Sequence, residues 1–98
     1  MSKIRESAKG EDCQVRLPGI CNGDPATTVW AHANGSAAGK GIGMKSLDLL
    51  GSYACSACHD EYDRRTMKME LGYVRLAFWY GHARSLVLLG EKGLVWTK

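Results

Sequence analysis

The sequence predicts a small α+β domain pinned by a metal, with a long helix closing its C-terminal half. Three observations carry that expectation. Four cysteines fall into two pairs, Cys13 with Cys21 and Cys55 with Cys58. A β-branched and aromatic run over 27–32 ends in His32. From residue 70 to 89, apolar residues recur near the 3.6-residue helical period.

Taken in order, residues 1–12 are charged and read as a loose N-terminal arm, with Lys9-Gly10-Glu11-Asp12 leading into Cys13. The gap from Cys13 to Cys21 is long for a metal knuckle, but Arg16-Leu17-Pro18-Gly19-Ile20 and Asn22-Gly23-Asp24-Pro25 carry turn residues that fold it back. Thr27-Thr28-Val29-Trp30-Ala31-His32 is the best strand candidate. The glycine-rich stretch Asn34 to Gly43 is not a phosphate-binding P-loop, because Lys40 is followed by Gly41 rather than a hydroxyl residue. It reads as a flexible connection able to approach a ligand backbone, or as a plain hairpin loop. Leu47 to Ala54 is a short apolar run broken by Asp48 and Gly51, and either a buried strand or a helical turn suits it. From Ser56 the pattern is helical, with Asp60/Arg64 and Glu61/Arg65 placed as i,i+4 ion pairs. The second helix, 70–89, turns Leu71, Val74, Phe78, Ser85, Leu86 and Leu89 to one side, and Gly90 is its expected stop. Val95-Trp96 suggests a terminal strand.

Ninety-eight residues make one domain, 1–98, near the small end of what folds alone, so a structural metal would supplement a modest core. A 45% apolar and 23% charged composition is globular rather than disordered. A net charge of +3 permits contact with phosphate backbones without demanding it. No apolar stretch is long enough for a membrane span, since Arg75, His82 and Arg84 interrupt 71–89. The first seven residues lack the apolar segment of a secretory signal, which points to the cytoplasm.

A Cys-x-x-Cys knuckle joined to a second cysteine pair suits tetrahedral Zn2+, which takes four thiolates in a closed structural site. A thioredoxin-like redox pair would need a βαβ pattern around Cys55 and Cys58 and would leave Cys13 and Cys21 without a role. Two disulfides would need an oxidising compartment. The four-thiolate zinc site is therefore expected, and it leaves His59, directly after Cys58, available for other work.

The residues that bear on chemistry are His32 at the strand end, and His59 with Asp63 four residues later on one helical face. An imidazole and a carboxylate on one face can hold a divalent cation against a phosphate, and a second imidazole can take a proton from attacking water. The plainer readings are a half-buried strand histidine for His32 and a solvated charge or arginine partner for Asp63. His82, inside the long helix, is assigned no role.

The segments Ile4-Arg5-Glu6-Ser7-Ala8-Lys9-Gly10, Cys13 to Asn22, Ala31-His32-Ala33-Asn34-Gly35 and Tyr53-Ala54-Cys55-Ser56-Ala57-Cys58-His59-Asp60 together resemble the lambdoid-prophage YbcO family, whose members carry a nuclease label. Cys55-Ser56-Ala57-Cys58-His59 is also similar to the Cys-x-x-Cys-His helix start of zinc-containing HNH, or His-Me finger, nucleases. The resemblance implies a zinc-stabilised ββα-metal fold extended by a C-terminal helix, and a DNA endonuclease. In that reading His32 is the general base, while His59 and, more weakly, Asp63 bind catalytic Mg2+ or Mn2+. Two positions depart from the pattern. Ala31 stands where many HNH enzymes place a metal ligand, and Leu50 stands where an asparagine is usual, with Asp48 two positions away. The rival is a zinc-binding module that contacts DNA or a recombination or repair protein and cuts nothing. Lys40, Lys45, Arg64, Arg65, Arg75 and Arg84 would serve either reading as phosphate contacts, or neither as ordinary surface charges.

Overall fold

The structure, a computed structural model, describes residues 3–33 and 48–95. Its elements run α1 (Lys3–Glu6), a 3₁₀ turn (Pro25–Thr27), β1 (Val29–His32), β2 (Gly51–Ala54), α2 (Ser56–Tyr62) and α3 (Leu71–Glu91). This is a small α+β domain. The glycine-rich stretch, Lys40, Lys45 and Trp96 lie outside the described residues, and Val95 is in no strand.

β1 and β2 form a two-stranded antiparallel sheet in which Val29 faces Ala54, Trp30 faces Tyr53, Ala31 faces Ser52 and His32 faces Gly51. The run ending at Ala54 is thus a strand, and all four of its residues are buried. Burial on both sides is what its lack of alternation reflects. The first strand is shorter than expected, because Asp24 caps the turn that takes up Thr27 by accepting the Ala26 N–H.

Two apolar clusters flank this sheet. One gathers Val15, Leu17, Ala31, Ala54, Tyr62, Val74 and Phe78 around three of the cysteines. Within it, Tyr62 of α2 stacks on Phe78 of α3 with ring centroids 3.9 Å apart and planes 7° from parallel. The other joins Ala8, Trp30, Tyr53 and Leu89. Ile4 and Ala8, within the arm expected to be loose, belong to this second cluster. Ala8 is 1% exposed, the Ser7 hydroxyl bonds the Tyr53 hydroxyl at 2.6 Å, and Glu11 pairs with Lys92 at 3.0 Å. Charge spacing alone conceals this packing, because one alanine and one serine make the decisive contacts.

α3 buries Val74, Phe78, Gly81, Ser85 and Leu89, an i, i+4, i+7, i+11, i+15 stripe. Gly81 lets the helix lie close against the sheet: a Cβ there would lie 2.6 Å from Ser52 Oγ and 2.9 Å from the Gln14 carbonyl. The Ser85 hydroxyl then donates to Gly81 O and accepts the Tyr53 N–H at 3.0 Å. The helix passes Gly90 and ends one residue later, at Glu91. Lys92 caps it, Gly93 takes a left-handed φ of 73°, and the Leu94 and Gly93 N–H groups close onto the Leu89 and Gly90 carbonyls.

α2 stops at Tyr62 in the same way, with Arg64 at a φ of 62° where glycine is usual. That early stop removes the expected i,i+4 ion pairs. Arg65 instead meets Asp60 at 3.5 Å and Arg64 meets Glu61 at 3.6 Å. Glu61 is fully buried, and its carboxylate accepts the Thr66 hydroxyl at 2.6 Å and the Lys68 and Met69 N–H groups at 2.9 and 2.8 Å. Those bonds hold its pKa below the usual carboxylate value, the Thr66 hydroxyl foremost. Among the described residues, no helix is long and apolar enough to cross a membrane.

Candidate functional site

The four cysteines converge. Leu17 accepts the Ile20 and Cys21 N–H groups at 3.1 and 2.9 Å, and Gly19 turns through a φ of 72°, so the chain between Cys13 and Cys21 doubles back as its turn residues imply. Arg16, at a φ of 54°, aims its N–H at Cys13 Sγ, 3.5 Å away. On the other side Cys55 caps α2 and accepts the Cys58 N–H on its sulfur at 3.4 Å. Each pair therefore presents a sulfur that takes a backbone N–H from three residues on, an arrangement that favours thiolate.

All four sulfurs lie within 4.8 Å of one another, and Cys55 Sγ is 3.8 Å from Cys21 Sγ. A tetrahedron of thiolates at about 2.3 Å from zinc has sulfurs about 3.8 Å apart, so the set fits that ion. Among the described residues all four are free cysteines. Three of the four are buried. The hydrogen bond from the Cys58 thiol drops the Cys13 pKa to about 4, and the same contact together with burial pushes Cys58 up. Burial raises Cys21. Close packing of four sulfurs is costly to ionise without a cation, and that is the electrostatic environment a divalent metal relieves.

His32 closes β1, and its Nε2 lies 2.6 Å from Asp48 Oδ1. A carboxylate accepts, so Nε2 donates, and in the neutral imidazole Nδ1 keeps the lone pair. Asp48 is itself held in place. Its carbonyl accepts the Trp30 indole N–H at 2.7 Å, and Arg5 Nε lies 3.6 Å from Oδ1. His59, within α2, places Nε2 3.1 Å from Oδ2 of Asp63, the residue that caps the helix. Both side chains are about a quarter exposed, 29% and 26%. One nitrogen and one carboxylate oxygen side by side can serve as two ligands of a hard cation, which takes its remaining positions from water and substrate oxygens.

His32 and His59 are thus each paired with a carboxylate. Among the described residues, the cysteines are the set in which three or more His, Cys, Asp or Glu ligands come together. Sequence reasoning missed the Asp48 partnership, for Asp48 stands 16 residues from His32 and outside any helical or strand spacing that would relate them. It also missed Arg5, which lay in the supposed arm. His82 has a structural place: its Nδ1 donates to the Gly51 carbonyl at 2.6 Å, tying α3 to the start of β2. Arg84, one of the candidate phosphate contacts, instead donates from its guanidinium to the Gln14 carbonyl.

Fold and site together define a small α+β domain with a buried four-cysteine cluster able to hold a metal and two histidine–carboxylate pairs. Comparison with known proteins supplies the family. The family model described as "Putative nuclease YbcO" matches residues 2–94, and this chain belongs to that family. Two relatives, each named "Putative nuclease YbcO", come from Escherichia coli strain K12 and Enterobacteria phage 82. Both are 44% identical over 95 residues, covering 97% of this chain and 98% of theirs. A solved structure titled "Structure of a putative bacteriophage protein from Escherichia coli str. K-12 substr. MG1655" aligns with a TM-score of 0.79 at 43% identity. The alignment covers 93% of this chain and all of that one.

Proposed function

We propose that the protein is a metal-dependent endonuclease of the HNH, or His-Me finger, type that hydrolyses DNA phosphodiester bonds. The observation that carries the reading is the 2.6 Å contact between His32 Nε2 and Asp48. It leaves Nδ1 as a fixed proton acceptor on a partly exposed strand end, which is what a general base requires. His32 takes a proton from water as the oxygen attacks phosphorus, and Asp48 steadies the imidazolium that results. Asp48 stands two positions before Leu50, the place where the pattern has an asparagine.

His59 and Asp63 are the residues that would bind Mg2+ or Mn2+. Such an ion, when bound, neutralises charge on the phosphate and the departing oxygen. Cys13, Cys21, Cys55 and Cys58 would bind structural Zn2+. That brace joins the turn before β1 to the start of α2, so it governs how the two histidine pairs are held relative to each other. The order β1, β2, α2 supports the ββα-metal assignment.

One observation favours the non-catalytic rival, a zinc-braced module that binds DNA or a recombination or repair protein. Ala31, the position where many HNH enzymes carry another ligand, is 1% exposed and packed in the core. Incubation of zinc-loaded protein with duplex, single-stranded and branched DNA in Mg2+ or Mn2+ separates the two. Turnover that stops on chelation of the added cation, with zinc retained, supports the nuclease. Salt-sensitive binding without turnover supports the module.

A further inference from the structure

α3 is apolar on two sides, and the sheet covers only one of them. Val74, Phe78, Gly81, Ser85 and Leu89 are the buried side. At about 3.6 residues per turn, Tyr73, Leu76, Tyr80, Ala83 and Val87 fall on the opposite side of the helix. Ala83 is exposed, and Tyr73, Leu76, Tyr80 and Val87 are 45%, 54%, 60% and 61% exposed. A surface helix ordinarily turns its charged residues there, yet none of these five carries a charge. Arg75 and Arg84 fall to either side of the line instead. Four of the seven large apolar side chains exposed among the described residues sit on this one line, so it is a patch rather than scatter.

The spacing says what fits it. Tyr73, Leu76, Tyr80, Ala83, Val87 and Gly90 alternate three and four residues apart, the repeat of a seam between two helices. When the line is laid antiparallel on a copy of itself, each layer is complementary. Tyr80 meets Ala83 of the second copy, Leu76 meets Val87, and Tyr73 meets Gly90. Large side chains then face small ones or equals, as a packed seam requires. A parallel pair would set tyrosine on tyrosine and leave glycine opposite glycine. The antiparallel layers recur in both halves of the seam, which is the self-complementarity that a two-fold axis imposes. Beside the seam, a groove of about 220 Å³ lies between α3 and the Val15–Arg16 turn, lined also by Leu76, Ala77 and Tyr80. It gives a side chain from a facing helix a hole to enter.

We propose that α3 is a homodimer interface, in which a second copy of this chain lays its own α3 antiparallel along Tyr73, Leu76, Tyr80, Ala83 and Val87. About half exposed, the two tyrosines, the leucine and the valine present on the order of 400 Å² per chain. Two copies and the residues flanking the seam together approach the roughly 1,000 Å² that a specific interface needs. Although each chain is net +3, the seam brings no like charges together. The pairing stands apart from the nuclease reading.

The test is sedimentation velocity on the zinc-loaded full chain over a concentration series. The mass should rise reversibly from the 10.7 kDa of one chain to twice that value, with a midpoint in the micromolar range. Leu76→Lys and Val87→Glu should each weaken association on the order of a hundredfold or more, because each enters the seam twice as an unpaired charge. Their melting temperatures at dilutions where wild type is monomeric should match wild type, since both side chains are exposed in the single chain. The double variant Leu76→Lys/Val87→Glu should associate at least tenfold more tightly than either single one. Only the antiparallel order sets the new cation of each copy on the new anion of the other. A wild type that stays monomeric at every concentration overturns the dimer and leaves the face to a different partner. A dimer indifferent to both single changes overturns it by placing the interface elsewhere. A double variant no tighter than the single ones overturns the antiparallel pairing.

Discussion

Asp48 and Glu61 show how a carboxylate can serve opposite ends in one small domain. Asp48 meets His32 at a partly exposed strand end, where the pair remains open to a substrate. Asp48→Ala should lower the cleavage rate by less than the roughly hundredfold or more expected for removing a general base outright, because the imidazole remains but loses its tautomer and aim. Single-turnover rates for the two variants check the order. Glu61, by contrast, is sealed inside and bonded to three donors. Its pKa is depressed on folding, so its stabilisation is complete above the unfolded value near 4.5 and fades as pH falls below that toward the folded value. Glu61→Gln should melt several degrees below wild type at neutral pH, with the gap narrowing in acid. Melting curves from pH 7 downward measure it, and a gap constant through the acid range would remove the carboxylate from the account. None of this was legible from composition. Glu61 reads as a surface ion-pair member, and only the early end of α2 turns the following residues back onto it.

At the scale of elements, the contact between α3 and β2 depends on having no side chain at Gly81. Gly81→Ala should cost about 1–3 kcal/mol, the usual range for overpacking a core contact, because Ser52 Oγ and the Gln14 carbonyl already occupy the space a methyl would need. Chemical denaturation checks it. Full stability in that variant would show that the helix can lift from the sheet without loss. The helix itself was legible: Val74, Phe78, Ser85 and Leu89 lie on the buried face that their spacing implied. Gly81 was not, since a glycine within a helical pattern reads as a weak point until the strand behind it is known. The stop at Gly93 rather than Gly90 has a similar origin. Both are glycines after an apolar stripe, and closure onto Leu89 and Gly90 decides between them. β2 was ambiguous because burial on both faces erases alternation. The N-terminal segment misled for the opposite reason, its charges facing solvent while Ala8 and Ser7 make the packing.

For the whole molecule, the four cysteines bring two distant parts of the chain to one point. Cys13 and Cys21 lie in turns, Cys55 and Cys58 at the start of a helix of seven residues. Under the proposed zinc assignment, metal binding free energy would also be folding free energy. Cys58→Ser should lose the metal and the cooperative melt together, and a strong chelator should do the same to wild type; circular dichroism with elemental analysis reads both. The cysteine spacing made the cluster legible in the sequence, the β-branched run did so for the strand end at His32, and i,i+4 spacing placed His59 with Asp63 on one helical face. What the chain alone left hidden was how the histidines are held, because Asp48, Trp30 and Arg5 come from three separate segments.

The claim on which the rest turns is that His32 is the reacting base of a nuclease. The most direct measurement compares the rate of DNA cleavage by wild type and His32→Ala, both zinc-loaded and in saturating Mn2+. The account predicts a loss on the order of a hundredfold or more with metal content and melting temperature unchanged. Cleavage by His32→Ala at the wild-type rate would contradict it.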